Sequence, residues 1–163
     1  MNNKVPVIND IPSTPKPTES GGIGESRVVE NYKKLLSGFK PIKELVLIAP
    51  MQVPESVFDI EVAKGAGYFN YPPVGLLYIA SVAKHIVPDI KIHLIDLNLE
   101  MLQKANDGDF SYDFWKLRIS NVLKDTKSAY VGISCMFDVN KEAFIEISQN
   151  IKDEFPEIPI LAG

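Results

Sequence analysis

The sequence predicts an α/β domain: a Rossmann-like, doubly wound parallel sheet with flavodoxin-type strand order. Three observations carry the prediction. Short apolar runs at 45–49, 91–95, 129–134 and 158–162 are separated by stretches of helical periodicity. The first run, Leu45-Val46-Leu47-Ile48-Ala49, is apolar without interruption, as a strand covered on both faces requires. The resulting β-α-β-α-β-α-β alternation calls for parallel strands, right-handed crossovers and helices on both faces. No internal repeat is visible.

Composition narrows the class further. The chain has 163 residues, 45% hydrophobic and 23% charged, enough for one domain with a real core. A net charge of -4 argues against a nucleic-acid partner, which calls for a basic face. No apolar run approaches the ~20 residues of a membrane span, and the first residues lack the apolar stretch of a signal peptide. The one cysteine, Cys135, excludes an internal disulfide framework and points to a reducing, cytoplasmic compartment. With His85 and His93 as the only histidines and no ligand-like spacing, neither a zinc site nor a thiolate-held cluster is expected.

The elements follow in order. Residues 1–25 read as a disordered tail, rich in proline and carrying Gly21-Gly22-Ile23-Gly24. Residues 26–42 read as an amphipathic helix and linker, with Val28, Tyr32, Leu35, Leu36 and Phe39 on one face. Such a helix packs on its own domain or docks on a partner. The domain proper spans 43–163. Pro50 stops the first strand, and the next helix opens only at Tyr71-Pro72-Pro73-Val74-Gly75. Lys91-Ile92-His93-Leu94-Ile95 is the second strand, closed by Asp96-Leu97-Asn98, with His93 expected in the core. A turn at 106–109 precedes a helix with Phe110, Phe114, Leu117 and Val122 along one side. The third strand is 129–134. Asn140 then caps a helix striped by Phe144, Ile147 and Ile151. The fourth strand, 158–162, ends at Gly163, where a doubly wound domain continues into a fifth strand. The expectation is therefore a segment of a longer protein, or a domain that a partner completes.

The candidate site follows from topology. The strand-to-helix loop of roughly twenty residues after the first strand is far longer than the usual two to six. In flavodoxin-type order the ligand crevice lies between the first and third strands, at their carboxyl ends. That places the loop from Met51 to Tyr71, with Gln52, on one side and the loop from Cys135 to Asn140, with Ser134 just before it, on the other. Ser134 and Asn140 are suited to hydrogen-bond a ligand amide or phosphate, or serve only as a strand end and a helix cap. Several familiar sites are rejected. The stretch 65–70 has two of the three glycines of a dinucleotide fingerprint but lies well past the strand end, and reads as a flexible loop. No phosphate-loop spacing occurs, and no acid ends the first strand as a receiver domain needs. Cys135 lacks a histidine near it in sequence to act as base, and a lone cysteine at a strand end is ordinarily packing.

Four segments together resemble the amino-terminal cobalamin-binding domain of B12-dependent radical SAM proteins. They are Tyr71-Pro72-Pro73-Val74-Gly75-Leu76-Leu77, Ile95-Asp96-Leu97-Asn98, Val131-Gly132-Ile133-Ser134-Cys135 and Ile158-Pro159-Ile160-Leu161-Ala162-Gly163. The likeness covers about residues 43–163. It implies a Rossmann-like domain holding cobalamin at its strand-end loops for a downstream radical SAM barrel in the same longer chain. That barrel would carry the 4Fe–4S cluster on Cys-x-x-x-Cys-x-x-Cys and cleave S-adenosylmethionine. The cluster motif is absent from this sequence, so the chain is expected to be the non-catalytic, cofactor-carrying segment. The resemblance adds Pro72, Pro73, Gly75, Asp96 and Gly163 to the cofactor-binding candidates, Gly163 standing where a Gly-Gly loop would begin. The Asp-x-His-x-x-Gly motif that supplies an axial histidine in many cobalamin domains is also absent. The alternative is a Rossmann-like interaction or regulatory domain that binds no cobalamin.

Overall fold

The structure, a computed structural model, describes Glu30, Asn31, Lys34, Ser37 and residues 42–107, 110–126, 129–135 and 140–163. The chain divides into two compact units, Met1–Lys40 and Pro41–Gly163. In the first unit Glu30, Asn31 and Lys34 are helical and exposed. The expected tail at 1–25 and the apolar face of the 26–42 helix lie outside the described residues.

The second unit contains β1 (Glu44–Ala49), a 3-10 turn (Glu55–Val57), α1 (Ile60–Lys64), α2 (Val74–Ile86), β2 (Lys91–Asp96) and α3 (Leu97–Lys104). It continues with α4 (Phe114–Lys124), β3 (Ala129–Ile133), α5 (Lys141–Glu154) and β4 (Ile160–Ala162). The strands form one all-parallel sheet in the order β2-β1-β3-β4. This is the α/β, Rossmann-like architecture that the alternation of elements predicts.

β1 explains the layering. Its even residues, Val46 and Ile48, join Ile95, Val131 and Ile133 under α3, α4 and α5, where Met101, Trp115, Ile119, Ile147 and Ile151 are buried. Its odd residues, Leu45 and Leu47, pack with Leu76 of α2 and with Ile90. An uninterrupted apolar run is the pattern that burial on both faces demands. Gly132 of β3 sits beside Leu47; a Cβ there would meet Leu47 Cδ2 at 3.0 Å, so the glycine makes room for the β1 side chain. Among the described residues no helix is long and apolar enough to cross a membrane.

Several expectations need correction. β2 runs directly into α3: Asp96 ends the strand and its Oδ1 accepts the Leu99 N–H at 3.0 Å as the helix N-cap. No glycine or proline punctuates this junction, which hides the helix at 97–104 from a reading of turn residues. On α4 the buried face is Trp115, Ile119 and Leu123, spaced at i, i+4, i+8, while Leu117 of the expected stripe is 66% exposed. Phe110 precedes that helix and joins an aromatic cluster instead. His93 is not a core histidine: it is half-buried, with Nε2 3.0 Å from Glu44 Oε2 on the neighbouring strand. Lys91 Nζ lies 3.6 Å from the same oxygen. β4 is shorter than expected; the Pro159 carbonyl accepts the Val131 N–H at 3.0 Å before the strand begins at Ile160.

Candidate functional site

The carboxyl ends of β1 and β3 open on a cleft of about 570 Å³. Its walls come from four places. The end of β1 gives Ala49, Pro50 and Gln52; the entry to α2 gives Tyr71, Pro72, Pro73, Val74, Gly75 and Leu76. The β2–α3 junction gives Asp96 and Asn98, and the far side is Ser134 and Asn140. This is the switch point of the sheet, where crossovers from β1 and β3 leave on opposite faces.

Local sequence sets each wall. Pro72 and Pro73 have no N–H to donate and a fixed φ, which suits them to a helix entry. The Val74 and Leu77 N–H groups fold back onto the Pro72 and Pro73 carbonyls at 2.7 and 3.0 Å. The Ser134 N–H donates to the Ile48 carbonyl at 3.0 Å, carrying the β1–β3 ladder one residue past β3. Asn140 occupies the N-cap position of α5 and is buried, but its side chain makes no cap hydrogen bond. Asn98 is 2% exposed; its Oδ1 accepts the Gln52 N–H at 3.2 Å and its Nδ2 donates to Asn70 Oδ1 at 2.9 Å.

The segment between β1 and α2 is structured. Asp59 caps α1, its Oδ1 accepting from the Glu61 and Val62 N–H groups at 2.8 and 3.4 Å. The Tyr68 hydroxyl accepts the Asp59 N–H at 2.9 Å and donates to the Val57 carbonyl at 3.3 Å. Phe58 packs on Tyr68, Phe110 and Tyr112 with ring centroids 5.0–5.8 Å apart. The Tyr112 hydroxyl donates to the Val53 carbonyl. Burial, with smaller contributions from Glu146 and Glu55, pushes the Tyr112 phenol up to about 12. The stretch 65–70, expected as a flexible loop, is tied back: the Gly67 N–H donates to the Val62 carbonyl at 2.8 Å. A Cβ on Gly67 would lie 2.6 Å from Val62 Cγ1, which explains the glycine.

Of the residues named from sequence, Gln52, Pro72, Pro73, Gly75, Asp96, Ser134 and Asn140 line the cleft. Met51 does not; it is 3% exposed and belongs to the core with Leu97 and Met101. Cys135 and Gly163 stand together outside the cleft lining, the Cys135 N–H donating to the Gly163 carbonyl at 2.7 Å. Sequence reasoning missed Asn98 as a lining residue. Its signal was a polar side chain two positions after a strand-ending acid, legible only once a helix is placed there.

Among the described residues the cleft lining is mostly apolar, with amides, the Ser134 and Tyr71 hydroxyls and the Asp96 carboxylate as its polar groups, and no Lys, Arg, His or Cys. Among the described residues there is no cluster of three or more His, Cys, Asp or Glu placed to hold a metal ion. Such a lining suits an uncharged or weakly charged organic ligand rich in amide and hydroxyl groups. Among the described residues the lining holds no paired nucleophile and base. Searches of protein-family models, curated proteins and solved structures return no match to this chain.

Proposed function

We propose that the 43–163 domain binds cobalamin and presents it to a radical SAM barrel, doing no bond-breaking chemistry itself. The observation that carries this reading is the cleft: an apolar trough at the switch point of a parallel sheet, fringed by the side chains of Gln52, Ser134 and Asn140. A corrin is a flat, largely apolar ring fringed with amides, and such side chains complement those amides. Asp96 would accept from corrin amide N–H groups, while the hydroxyl and amides of Ser134 and Asn140 would face the nucleotide tail. His85 lies in the last turn of α2 and His93 is held beside Glu44, so neither histidine is part of the cleft lining. The residues named here would therefore hold a cobalamin by its periphery. Bound cobalamin supplies a cobalt centre able to carry an alkyl group. The cluster, S-adenosylmethionine and substrate sites belong in this reading to the barrel of a longer, cytoplasmic protein.

Incubation with hydroxocobalamin followed by gel filtration tests the reading. Cobalamin absorbance co-eluting with the protein, with an altered visible spectrum, is the expected result. A protein peak free of cobalamin at micromolar loading overturns it.

One observation favours the second reading, an interaction or regulatory domain without cofactor. Tyr78, Val82 and Ile86 form an i, i+4, i+8 stripe on α2, and Tyr78 and Ile86 are each 71% exposed. Exposed apolar patches of this kind mark interaction surfaces. That reading predicts concentration-dependent association and no cobalamin uptake.

A further inference from the structure

Three cleft-forming segments meet at one buried amide. Asn98 sits in the first turn of α3 and is 2% exposed. Its Oδ1 takes the Gln52 N–H at 3.2 Å; its Nδ2 gives to Asn70 Oδ1 at 2.9 Å and reaches the Phe69 carbonyl at 3.5 Å. Gln52 opens the long β1–α2 segment and Asn70 nearly closes it. Gln52 itself and Tyr71, next to Asn70, are both cleft walls. We infer that Asn98 is a positioning residue for ligand binding: it fixes both ends of the β1–α2 segment, so that Gln52 and Tyr71 face one cleft. The inference rests on the reading of this cleft as the ligand site.

The chemistry requires an amide. One side of the site presents a donor, the Gln52 N–H; the other presents two acceptor oxygens. The Gln52 N–H and the Phe69 carbonyl are backbone groups of fixed polarity, and a side chain that accepts from one and donates to the other satisfies both. Aspartate has the same shape but turns a carboxylate oxygen on the Phe69 carbonyl, an acceptor that cannot be rotated into a donor. Leucine leaves the Gln52 N–H without its acceptor. An unmatched buried polar group is costly, so the segment ends would detach rather than stay in place. The middle of the segment is held separately, by the Phe58 aromatic cluster and the Tyr112 bond to Val53. Loss of Asn98 therefore loosens the cleft walls and leaves the sheet intact.

The test uses the whole 163-residue chain and two readouts. The first is hydroxocobalamin affinity by visible absorption for wild type, Asn98→Asp and Asn70→Ala. Asn98→Asp is expected to weaken binding at least tenfold, and Asn70→Ala to weaken it by less, because it removes one partner only. Because aspartate is isosteric, a loss reports hydrogen-bond direction and not filled volume. Equal affinity of Asn98→Asp and wild type overturns the inference. The second is amide hydrogen exchange in Asn98→Leu without ligand. The Gln52 amide is expected to exchange at least tenfold faster while the Leu47 and Ile48 amides of β1 keep their wild-type rates. Unchanged Gln52 protection overturns the inference, as does an equal rise across β1, which would mark a general loss of fold. If wild type takes up no cobalamin, the proposed function fails, and the exchange readout still decides the role of Asn98.

Discussion

Asp96 shows how much one side chain carries here. It ends β2, caps α3 through the Leu99 N–H and lines the cleft. Cap and charge separate by substitution. Asp96→Ala should cost about 1 kcal/mol in urea denaturation, whereas Asp96→Asn, an equally good cap, should stay within a few tenths. Tyr112 gives a pH prediction. An unfolded tyrosine loses its proton near 10.0, and folded Tyr112 only at about 12. Between those values the unfolded state binds fewer protons, so stability falls as pH rises; below 10.0 the contribution is complete. Tyr112→Phe should lose the bond to Val53, roughly 1 kcal/mol at neutral pH. The wild-type advantage over Tyr112→Phe should then shrink as pH rises above 10.0 and vanish before about 12, where the two denaturation profiles have crossed. At this scale Gln52, Pro72, Pro73 and Ser134 were legible because the topology rule names strand ends. Asn98 was not, because its role depends on partners at Gln52 and Asn70, distant in sequence.

The helices differ in how they use their apolar residues. α5 buries Ile147 and Ile151 and exposes its charged face, the pattern of a helix packed on one side. α2 buries Leu76 and leaves Val74, Tyr78 and Ile86 exposed. Loss of apolar bulk should therefore have unequal effects on the two helices. Ile151→Ala should destabilise by roughly 2–5 kcal/mol. Tyr78→Ser should stay within about 0.5 kcal/mol for the isolated chain; chemical denaturation of both variants checks the contrast. Helices with a long apolar period, α2 and α5, were legible in the sequence. α3 was not, because Asp96 serves at once as strand end and cap, leaving no turn residues between the elements. The buried face of α4 was misread because Phe110 and Phe114 suggested a phase that Trp115 overrides: its indole is fully buried against the sheet.

For the whole molecule, the alternation of apolar runs and helical stretches was enough to specify a parallel sheet, and the order β2-β1-β3-β4 puts the crevice where the switch-point rule places it. The chemistry of the crevice was less legible. Its apolar lining and its buried amides emerge only when four separate segments converge. Those features favour an amide-rich, flat ligand and are the physical support for the cobalamin proposal. Gly75 offers the most direct test. It lines the cleft in the first turn of α2, and a Cβ built there meets nothing within 4 Å. Leucine at this position should be tolerated by the helix, which it favours over glycine by up to about 1 kcal/mol, while its side chain projects into the cleft. The decisive measurement is a visible-absorption titration of hydroxocobalamin into wild type and Gly75→Leu, with circular dichroism to verify that both are folded. Saturable binding by wild type, weakened at least tenfold in a folded Gly75→Leu, is the predicted result. No spectral change with wild type, or equal binding by both proteins, would contradict cobalamin binding in this cleft.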